Sequence, residues 1–353
     1  MSETQPLRIG FCGVGTMGQC AHLKNYAVLE DCNVVAIAEP RQETGKLVAA
    51  RYNVPNVYTD FRDMLANEQL DGIVASQPFE RHGLLVPELL ASGAFVFTEK
   101  PIAGTVASGE TIAAADADAT GQLMVGYHKR SDLATTWAKA KVDELKASGE
   151  LGKMTYVRVL MPSGDWVVRG FDDLINAGDS AGDLEFDAPA EDMDSDTFGH
   201  YIGFVNYYIH QVNLARHLLG ESWSVEYAHP SGVLLAGSSD SGVAVSIEMT
   251  PYSTTEGWEE SAMVAFERGY LTLELPAPLV ADGPGNVTLY SDPGEGATPM
   301  RTSPRLRPIP AMRNQASNFL AAIRGDQPVM CTAADALADI KLAREYIRLW
   351  KHQ

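Results

Sequence analysis

Short apolar segments alternate with longer helical patterns over the first 128 residues of the chain. The apolar segments span residues 7–12, 33–38, 72–76, 94–98 and 122–127, and the helical patterns lie near residues 16–29, 41–53, 80–92 and 105–119. Strands that are covered on both faces are continuously apolar, and strands that alternate with helices build parallel sheets. The pattern therefore predicts a doubly wound parallel sheet.

The hydrophobic pattern changes at about Met154, where apolar and polar positions begin to alternate over longer segments. These segments span residues 154–162, 224–229, 242–250, 261–266 and 270–275, and helical patterns close the chain at residues 311–324 and 332–351. Such alternation is typical of an antiparallel sheet with one exposed face. We therefore predict an α/β chain of two domains, residues 1–128 and residues 129–353.

The composition narrows the class of ligand. The 353 residues are 45% hydrophobic, which is enough to bury two moderate cores. A formal net charge of −19 would repel nucleic acid and anionic membranes, so small molecules are the favoured ligands. No segment has the apolar length of a leader core or of a membrane span, and we expect a cytoplasmic protein.

Neither the cysteines nor the acidic residues have the spacing of a metal site. Cys12, Cys20, Cys32 and Cys331 lack CxxC spacing, which favours buried free thiols. Residues 172–196, DDLINAGDSAGDLEFDAPAEDMDSD, predict a solvated loop near the cleft. Calcium is the less favoured alternative for this loop, because the order Asp-x-Asp-x-Asp-Gly is absent. We expect no metal in the functional site.

The first strand runs into a glycine-rich turn, RIGFCGVGTMG, that opens a predicted helix. Gly13, Gly15 and Gly18 have the GxGxxG order that allows a tight turn, a close approach to pyrophosphate and close helix packing. Glu39 ends the second strand 21 residues beyond Gly18, where a carboxylate can accept the ribose hydroxyls of NAD and repel the 2′-phosphate of NADP. The neighbouring Arg41 weakens this expected preference for NAD over NADP. The alternative is a glycine turn with an incidental acid.

The fourth strand ends in FVFTEKPIA, which places Glu99 and Lys100 at the edge of the sheet where ligands bind. Alternate residues of a strand point to opposite faces, so these two side chains should diverge. Pro101 ends the strand, and its peptide bond with Lys100 can be cis. A plain surface lysine is the alternative interpretation.

A helical pattern from Phe204 to Leu219 carries a polar stripe, and Gly220 follows it as a stop signal. The stripe residues recur at spacings of four, three and four, and they are Asn206, His210, Asn213 and His217. Such a stripe faces either water or a wet cleft. Periodicity alone leaves open whether His210 is catalytic or a surface histidine.

Taken together, these segments resemble the glucose-fructose oxidoreductase, inositol dehydrogenase and rhizopine-catabolism (Gfo/Idh/MocA) family along nearly the whole chain. The resemblance lies in RIGFCGVGTMG, VVAIAEPR, the Glu-Lys-Pro segment, VGYHKRSD, the His210 helix and the C-terminal segment that begins at NFLAAIRG. It implies an N-terminal Rossmann domain and a C-terminal α/β domain with a large, open, mainly antiparallel sheet. It also implies oligomer contacts through that sheet, as a dimer or tetramer, and a last helix that returns toward the first domain.

The resemblance also implies residue roles. Lys100 matches the lysine that contacts the reacting hydroxyl and the nicotinamide region, and His210 matches the general base. Asn206 stands where the family usually has aspartate in an Asp-x-Gly-x-His pattern, and Tyr208 replaces the glycine of that pattern. An amide can orient a substrate or an imidazole, but it cannot stabilise an imidazolium by charge.

Further residues complete the expected site. Gln77, Pro78 and His82 follow the third predicted strand, at the edge expected for ribose and nicotinamide, although His82 could equally pack its helix. Arg130 matches a family position near the substrate, with a solvated basic turn as the alternative. Trp166 could stack on a sugar ring or fill the core. The remaining expected cofactor contacts are Thr16, Met17 and Glu99.

These expectations favour an NAD-dependent oxidoreductase that acts on a secondary hydroxyl of a sugar, polyol or glycoside. Two alternatives stay open. One is an enzyme that retains NAD and cleaves glycosides through transient oxidation at C3. The other is a dinucleotide-binding regulator without turnover, against which the presence of both Lys100 and His210 weighs.

Overall fold

The structure is a computed structural model that describes residues 5–168, 170–249, 257–294 and 296–352. The described residues within Met1–Tyr127, Arg169–Asp192 and Met312–Ile340 form one compact unit, and those within His128–Val168, Met193–Ala311 and Lys341–Gln353 form a second. The second unit is thus not one continuous segment: two segments that the sequence prediction assigned to it belong to the first. None of the described helices is long and apolar enough to cross a membrane.

The first unit is built on a six-stranded parallel sheet. Its strands are β1 (Leu7–Cys12), β2 (Cys32–Ala38), β3 (Asn56–Tyr58), β4 (Gly72–Ala75), β5 (Phe95–Glu99) and β6 (Leu123–Gly126). They lie in the order β3-β2-β1-β4-β5-β6, so the winding reverses between β1 and β4. Ligands of doubly wound sheets bind at the carboxyl ends of the strands beside such a reversal. The predicted fold of this part of the chain is confirmed.

Helices follow most of these strands. A π-helical turn, Gly18–Leu23, leads into α1 (Lys24–Tyr26), and the others are α2 (Gln42–Tyr52), α3 (Phe61–Asn67), α4 (His82–Ala91) and α5 (Val106–Asp118). From near the end of the chain, α9 (Ala311–Ile323) also packs on this sheet, where the rings of Phe97 and Phe319 lie 5.8 Å apart between centroids. Both phenylalanines are fully buried. This covering on both faces explains why the strands are continuously apolar.

The second unit is built on an eight-stranded sheet in the order β14-β13-β12-β11-β7-β10-β9-β8. Its strands are β7 (Met154–Leu160), β8 (Trp223–Ala228), β9 (Leu234–Ser239), β10 (Ala244–Glu248), β11 (Ser261–Phe266), β12 (Gly269–Glu274), β13 (Asn286–Ser291) and β14 (Met300–Thr302). All neighbours pair antiparallel except β7 and β10. Burial alternates along β9 and β11, as expected for a sheet with one covered face. The predicted mainly antiparallel sheet is confirmed.

Four helices contribute to the second unit. They are α6 (Leu133–Ser148), α7 (Ser195–Tyr207), α8 (Ile209–Leu219) and the final part of α10 (Ala333–Lys351). The buried side of α8 packs on β7 and β10, while α6 packs on β12 and β13. Helix α8 carries His210, and its apolar face, which includes Val212 and Leu219, fixes its position on the sheet.

The single helix predicted over residues 204–219 is wrong, because α7 and α8 are separate helices that meet at Tyr208. Tyr208 has φ −95° and ψ −1°, and its carbonyl accepts from the backbone N–H of Gln211 at 3.0 Å. These bridge-region dihedrals end one helix and start the next. The predicted polar stripe is therefore interrupted: Asn206 lies on α7 and His210 on α8.

Several elements were absent from the sequence prediction, namely the strands β3, β9, β13 and β14, the short helix α3 and the longer helix α6. Strands β3 and β14 have three residues each, and none of those residues is buried. A strand that short has no recognisable apolar period. Thr250, the last residue of the predicted strand at 242–250, lies outside the described residues.

Candidate functional site

The glycine turn of the first unit has the geometry that the sequence predicts. Gly13 has φ +92°, and a Cβ atom there would lie 2.5 Å from the Ser76 carbonyl oxygen. A Cβ atom on Gly18 would lie 2.8 Å from the Gly13 carbonyl oxygen, so both positions require glycine. A Cβ atom on Gly15 would meet Nη2 of Arg41 at 3.8 Å, an ordinary contact distance, so this side of the turn is not crowded. Pyrophosphate fits an uncrowded turn of this kind beside a helix start.

Glu39 is tied to the glycine turn. Its buried carboxylate accepts from the backbone N–H of Val14 at 2.9 Å, and from Nε and Nη2 of Arg41 at 2.8 and 3.0 Å. The hydrogen bond with Glu39 raises the pKa of Arg41. The carboxylate at the end of β2 is therefore held beside the turn, where ribose hydroxyls of a bound dinucleotide would reach it.

A cavity of about 410 Å³ opens within the first unit beside the carboxyl ends of β1, β2 and β4. Cys12, Ala38 and Gln77 line it from the strand ends, and Phe61 and Leu85 add apolar walls. Its volume is in the range of small-molecule sites. Together with the uncrowded position at Gly15 and the anchored Glu39, this cavity fits the adenosine half of a dinucleotide.

The segment predicted as a solvated loop also binds the first unit through hydrogen bonds, and we call residues 170–187 the strap. The side-chain amide of Gln19 holds the backbone N–H and carbonyl of Ile175 through two hydrogen bonds of 3.0 Å each. Arg81 donates to the Glu185 carbonyl at 2.8 Å. Asp183, Leu184 and Glu185 of the strap line the cavity. The strap has neither helix nor strand and no buried residue, as predicted for a solvated loop, but it is also hydrogen-bonded to the first unit.

Two carboxylates of the strap bind helix starts. Asp179 accepts from the backbone N–H of Glu43 at 2.8 Å and from Thr44 Oγ1 at 2.5 Å, at the first turn of α2. Asp187 accepts from the backbone N–H groups of Gly83 and Leu84 at 2.9 and 3.1 Å, at the first turn of α4. Unpaired N–H groups at helix starts favour such carboxylates. Sequence order gave no sign of these partners, which lie more than a hundred residues away.

Glu99 is buried at the end of β5, and the divergence of the Glu99 and Lys100 side chains stays a prediction. The buried Glu99 carboxylate lies 2.7 Å from Nε2 of His22, and the backbone N–H of Lys100 donates to it at 3.1 Å. Burial alone would raise the pKa of Glu99, but the His22 hydrogen bond and the charges of His22 and Lys100 together lower it. The Lys100–Pro101 peptide bond is cis. His22 was missed by the sequence analysis, since nothing in its local pattern marks it.

His82 is fully buried, which fits the packing interpretation better than a cofactor contact. Its ring nitrogens lie 3.1 Å from the Ile102 carbonyl and 3.3 Å from the Gln77 carbonyl. Burial lowers the pKa of His82. The His82 ring thus links two loops through these contacts, the one that follows Pro101 and the one that follows β4. Gln77 lines the cavity, and Pro78 precedes the short helical turn Phe79–Arg81.

In the second unit, the turn His128–Ser131 follows directly after the first unit's last strand and is buried throughout. The ring of His128 packs edge to face on that of His210, with centroids 4.7 Å apart. Nε of Arg130 donates to Oδ1 of the buried Asn213 at 2.8 Å. The alternative of a solvated basic turn at Arg130 is wrong. The structure thus brings Arg130, His210 and Asn213 to the same region of this unit.

A buried ion pair lies beneath this region. Nζ of Lys129 binds the Glu260 carboxylate and lies 5.7 Å from the ring centroid of Trp258. Nε2 of Gln211, the residue after His210, donates to the same carboxylate at 2.8 Å. This network connects the His128–Ser131 turn to α8. The sequence analysis missed it because its members are distant in the chain.

The other expected substrate residues have weaker structural support. Asn206 is exposed near the end of α7, and Trp166 is partly exposed between β7 and the strap. Thr16 is exposed and Met17 partly so at the start of the helical turn after Gly15. Among the described residues, no group of three or more His, Cys, Asp or Glu side chains is placed to hold a metal ion.

Comparison with known proteins identifies relatives of the first unit. Residues 7–127 match the model of an oxidoreductase family described as having an NAD-binding Rossmann fold. A glycosyl hydrolase family 109 protein of Shewanella putrefaciens is 32% identical over 109 residues, which are 28% of this chain and 24% of that protein. An inositol 2-dehydrogenase of Rhodococcus erythropolis is 27% identical over 249 residues, which are 69% and 63% of the two chains.

Similarity in fold to solved structures extends over nearly the whole chain. A solved structure from Desulfitobacterium hafniense, described as that of an NADPH-dependent oxidoreductase, superposes with a TM-score of 0.75 over 99% of this chain and 96% of that one. Its sequence identity is 14%, so the likeness concerns the fold alone. The curated relatives are matched over only part of their length, about a quarter for the Shewanella protein.

Proposed function

We propose that the chain is an NAD-dependent oxidoreductase of the glucose-fructose oxidoreductase, inositol dehydrogenase and rhizopine-catabolism family, whose Rossmann-fold model matches residues 7–127. Its proposed substrate is a sugar, polyol or glycoside with a secondary hydroxyl or keto group. One observation carries this proposal most directly. The Glu39 carboxylate is bound to the glycine turn, beside an uncrowded position at Gly15 and a cavity of about 410 Å³.

The proposed catalytic residues lie in different units, Lys100 in the first and His210 in the second. Bound NAD would supply the hydride acceptor. We propose that the Lys100 ammonium stabilises the negative charge that develops on the substrate oxygen as hydride leaves. We propose that the His210 imidazole takes the hydroxyl proton, with Arg130 and Asn213 orienting the substrate or the ring. Asn206 contributes hydrogen bonding without charge.

The proposal is tested by following NADH formation by absorbance with monosaccharides, inositols and glycosides, with NAD and NADP measured side by side. We expect turnover with NAD on at least one substrate class. The Lys100→Ala variant should bind NAD yet turn over at least about a hundredfold more slowly, since a positioned catalytic group is lost. The exposed Lys46, which pairs with Glu43, gives a matched control as Lys46→Ala. Wild-type rates in Lys100→Ala would remove Lys100 from the mechanism.

The strap favours a second candidate, a glycoside-processing enzyme that retains NAD through the catalytic cycle. It lines the cavity with three residues and is hydrogen-bonded to the helices of the same unit at Asp179 and Asp187, an arrangement that would slow dinucleotide release. Such an enzyme would release sugar from a glycoside without net NADH. Assaying NAD freed by denaturing the purified protein, together with sugar release, separates this candidate from a dehydrogenase that exchanges its cofactor.

We also propose that the chain forms a homo-oligomer through the sheet of the second unit. Tyr270 and Tyr290 stack on neighbouring strands with centroids 5.4 Å apart, and both rings remain partly exposed. Partly exposed aromatic residues are enriched at protein interfaces. Light scattering after size-exclusion chromatography should give a dimer or tetramer, and the Tyr270→Glu variant should shift the mass toward the monomer.

A further inference from the structure

The acidic strap places a carboxylate beside the expected adenosine site. Asp179 binds the backbone N–H groups of Glu43 and Thr44 at 2.8 and 3.3 Å, and Thr44 Oγ1 at 2.5 Å. Thr44 is fully buried, so this anchor belongs to the framework of the first unit. Glu43 and Thr44 lie in the first turn of α2, four and five residues after Glu39 at the end of β2.

The 2′-phosphate that distinguishes NADP from NAD would need hydrogen-bond donors at the start of α2. In a dinucleotide-binding fold the adenosine ribose lies at the end of β2, so a 2′-phosphate would extend toward the turn between β2 and α2. N–H groups at a helix start are the donors that bind phosphate. In this chain the Asp179 carboxylate already occupies those of Glu43 and Thr44.

We propose that the strap forms one wall of the dinucleotide site and that Asp179 is a specificity-determining residue that favours NAD over NADP. The proposal rests on the proposed function, since it requires the cavity to hold adenosine. Asp179 takes the donors that a 2′-phosphate would use, and its negative charge repels that phosphate. Glu39 acts in the same direction from the end of β2.

The cavity supports this role independently of the helix start. Asp183 and Glu185 of the strap line it together with Ala38 and Pro40, which flank Glu39 in the chain. The strap is therefore part of the same cavity as the end of β2. The nearby guanidinium of Arg41 already binds Glu39 through two nitrogens.

A second nearby guanidinium is also engaged. Arg62 lines the cavity, and its Nε and Nη2 bind the Glu88 carboxylate at 2.7 and 2.6 Å. Arg81 donates to the Glu185 carbonyl and to Oε1 of Gln77. Both arginines that line this cavity thus already donate to acceptors of the protein, and we expect the strap carboxylates to act together with Glu39 on the preference for the cofactor.

The test is direct titration of NADH and NADPH into the full-length protein, followed by calorimetry or by nucleotide fluorescence. We expect wild type to bind NADH more tightly than NADPH. In Asp179→Ala the ratio of the dissociation constants, NADPH over NADH, should fall at least about tenfold, because the repulsion is lost and the helix-start donors are released. Asp179→Asn keeps the shape of the side chain and should show a smaller fall in the same direction.

Asp172→Asn removes the same charge from the same strap and is the matched control, with a ratio within about twofold of wild type. An unchanged ratio in both Asp179 variants, with NADH binding retained, would overturn the role of Asp179 and leave the proposed function standing. Equal falls in Asp172→Asn and Asp179→Asn would also overturn it, since they would indicate a general charge effect. A wild type that binds neither nucleotide would overturn the proposed function itself.

Discussion

His128 and His210 pack edge to face, with ring centroids 4.7 Å apart, and both belong to the second unit. His128 lies in the turn after β6 and is 4% exposed, whereas His210 lies in the first turn of α8 and is partly exposed. A buried ring that supports a more accessible one fixes the orientation of the accessible imidazole. We interpret His128 as a packing support for His210.

Substitutions of His210 and His128 should have different effects on kcat. His210→Ala should lower kcat at least about a hundredfold, because the proposed proton acceptor is removed. His128→Phe should keep kcat within about threefold, because an aromatic ring of similar size preserves the edge-to-face packing. His217→Ala, two turns further along α8, is the control and should match wild type. The rates are measured on the best substrate from the screen, and equal losses at both positions would refute the packing interpretation.

Glu260→Gln should strongly destabilise the protein. Lys129 and Glu260 are both buried and bind each other, so neutralising Glu260 leaves an uncompensated buried ammonium. Loss of one partner of a buried ion pair costs about 3–5 kcal/mol. The free energy of unfolding in urea measures this cost. Asp143→Asn, which breaks an exposed pair with Lys139 on α6, should cost less than about 1 kcal/mol.

Glu99→Gln should lower stability in a pH-dependent way. The pKa of Glu99 is depressed in the folded protein, so its ionised form contributes stability that is present above its unfolded pKa and is lost as the pH falls through the folded pKa. We expect the variant to be less stable by about 1–3 kcal/mol at neutral pH, with the difference from wild type shrinking in acid. Thermal melting across an acid pH series measures this. A difference that grows in acid would contradict the assignment.

The thiols should be nearly unreactive in the folded protein. Burial raises the pKa of Cys12 and Cys32 to about 12 and that of Cys20 to about 11, so each remains a neutral thiol at physiological pH. Because the thiolate is the reactive species, alkylation should be slow until the chain unfolds. Reaction with a chromogenic disulfide, with and without guanidinium, counts the accessible thiols. Rapid native labelling of Cys12 would show that its environment is more open.

Local patterns predicted most of the architecture, and the reason is physical. Strands such as β1 and β11 have the predicted bounds because burial on two faces or on alternate positions leaves a direct pattern in the sequence. Strand β3 and helix α3 were missed because few of their residues are buried. The break at Tyr208 depends on backbone dihedrals that no apolar period encodes.

The candidate site was predicted only where its parts are close in the sequence. The glycine turn and Glu39 follow from spacing, since one helical segment and strand β2 connect them. The pairs His22–Glu99 and Thr44–Asp179 join residues 77 and 135 positions apart. Contacts of that range are set by the packing of the whole unit, so a single sequence does not reveal them.

Each unit is built from three separate segments of the chain, which limits how a unit can be exchanged between related proteins. The first unit takes residues 170–192 and 312–340 in addition to its first 127, and Phe319 fills its core against Phe97. A fragment cut after Tyr127 would expose Phe97 and lose the strap residues that line the proposed nucleotide cavity. A chimera with a relative would therefore need a crossover at each boundary between the segments of the two units in order to transfer the whole first unit.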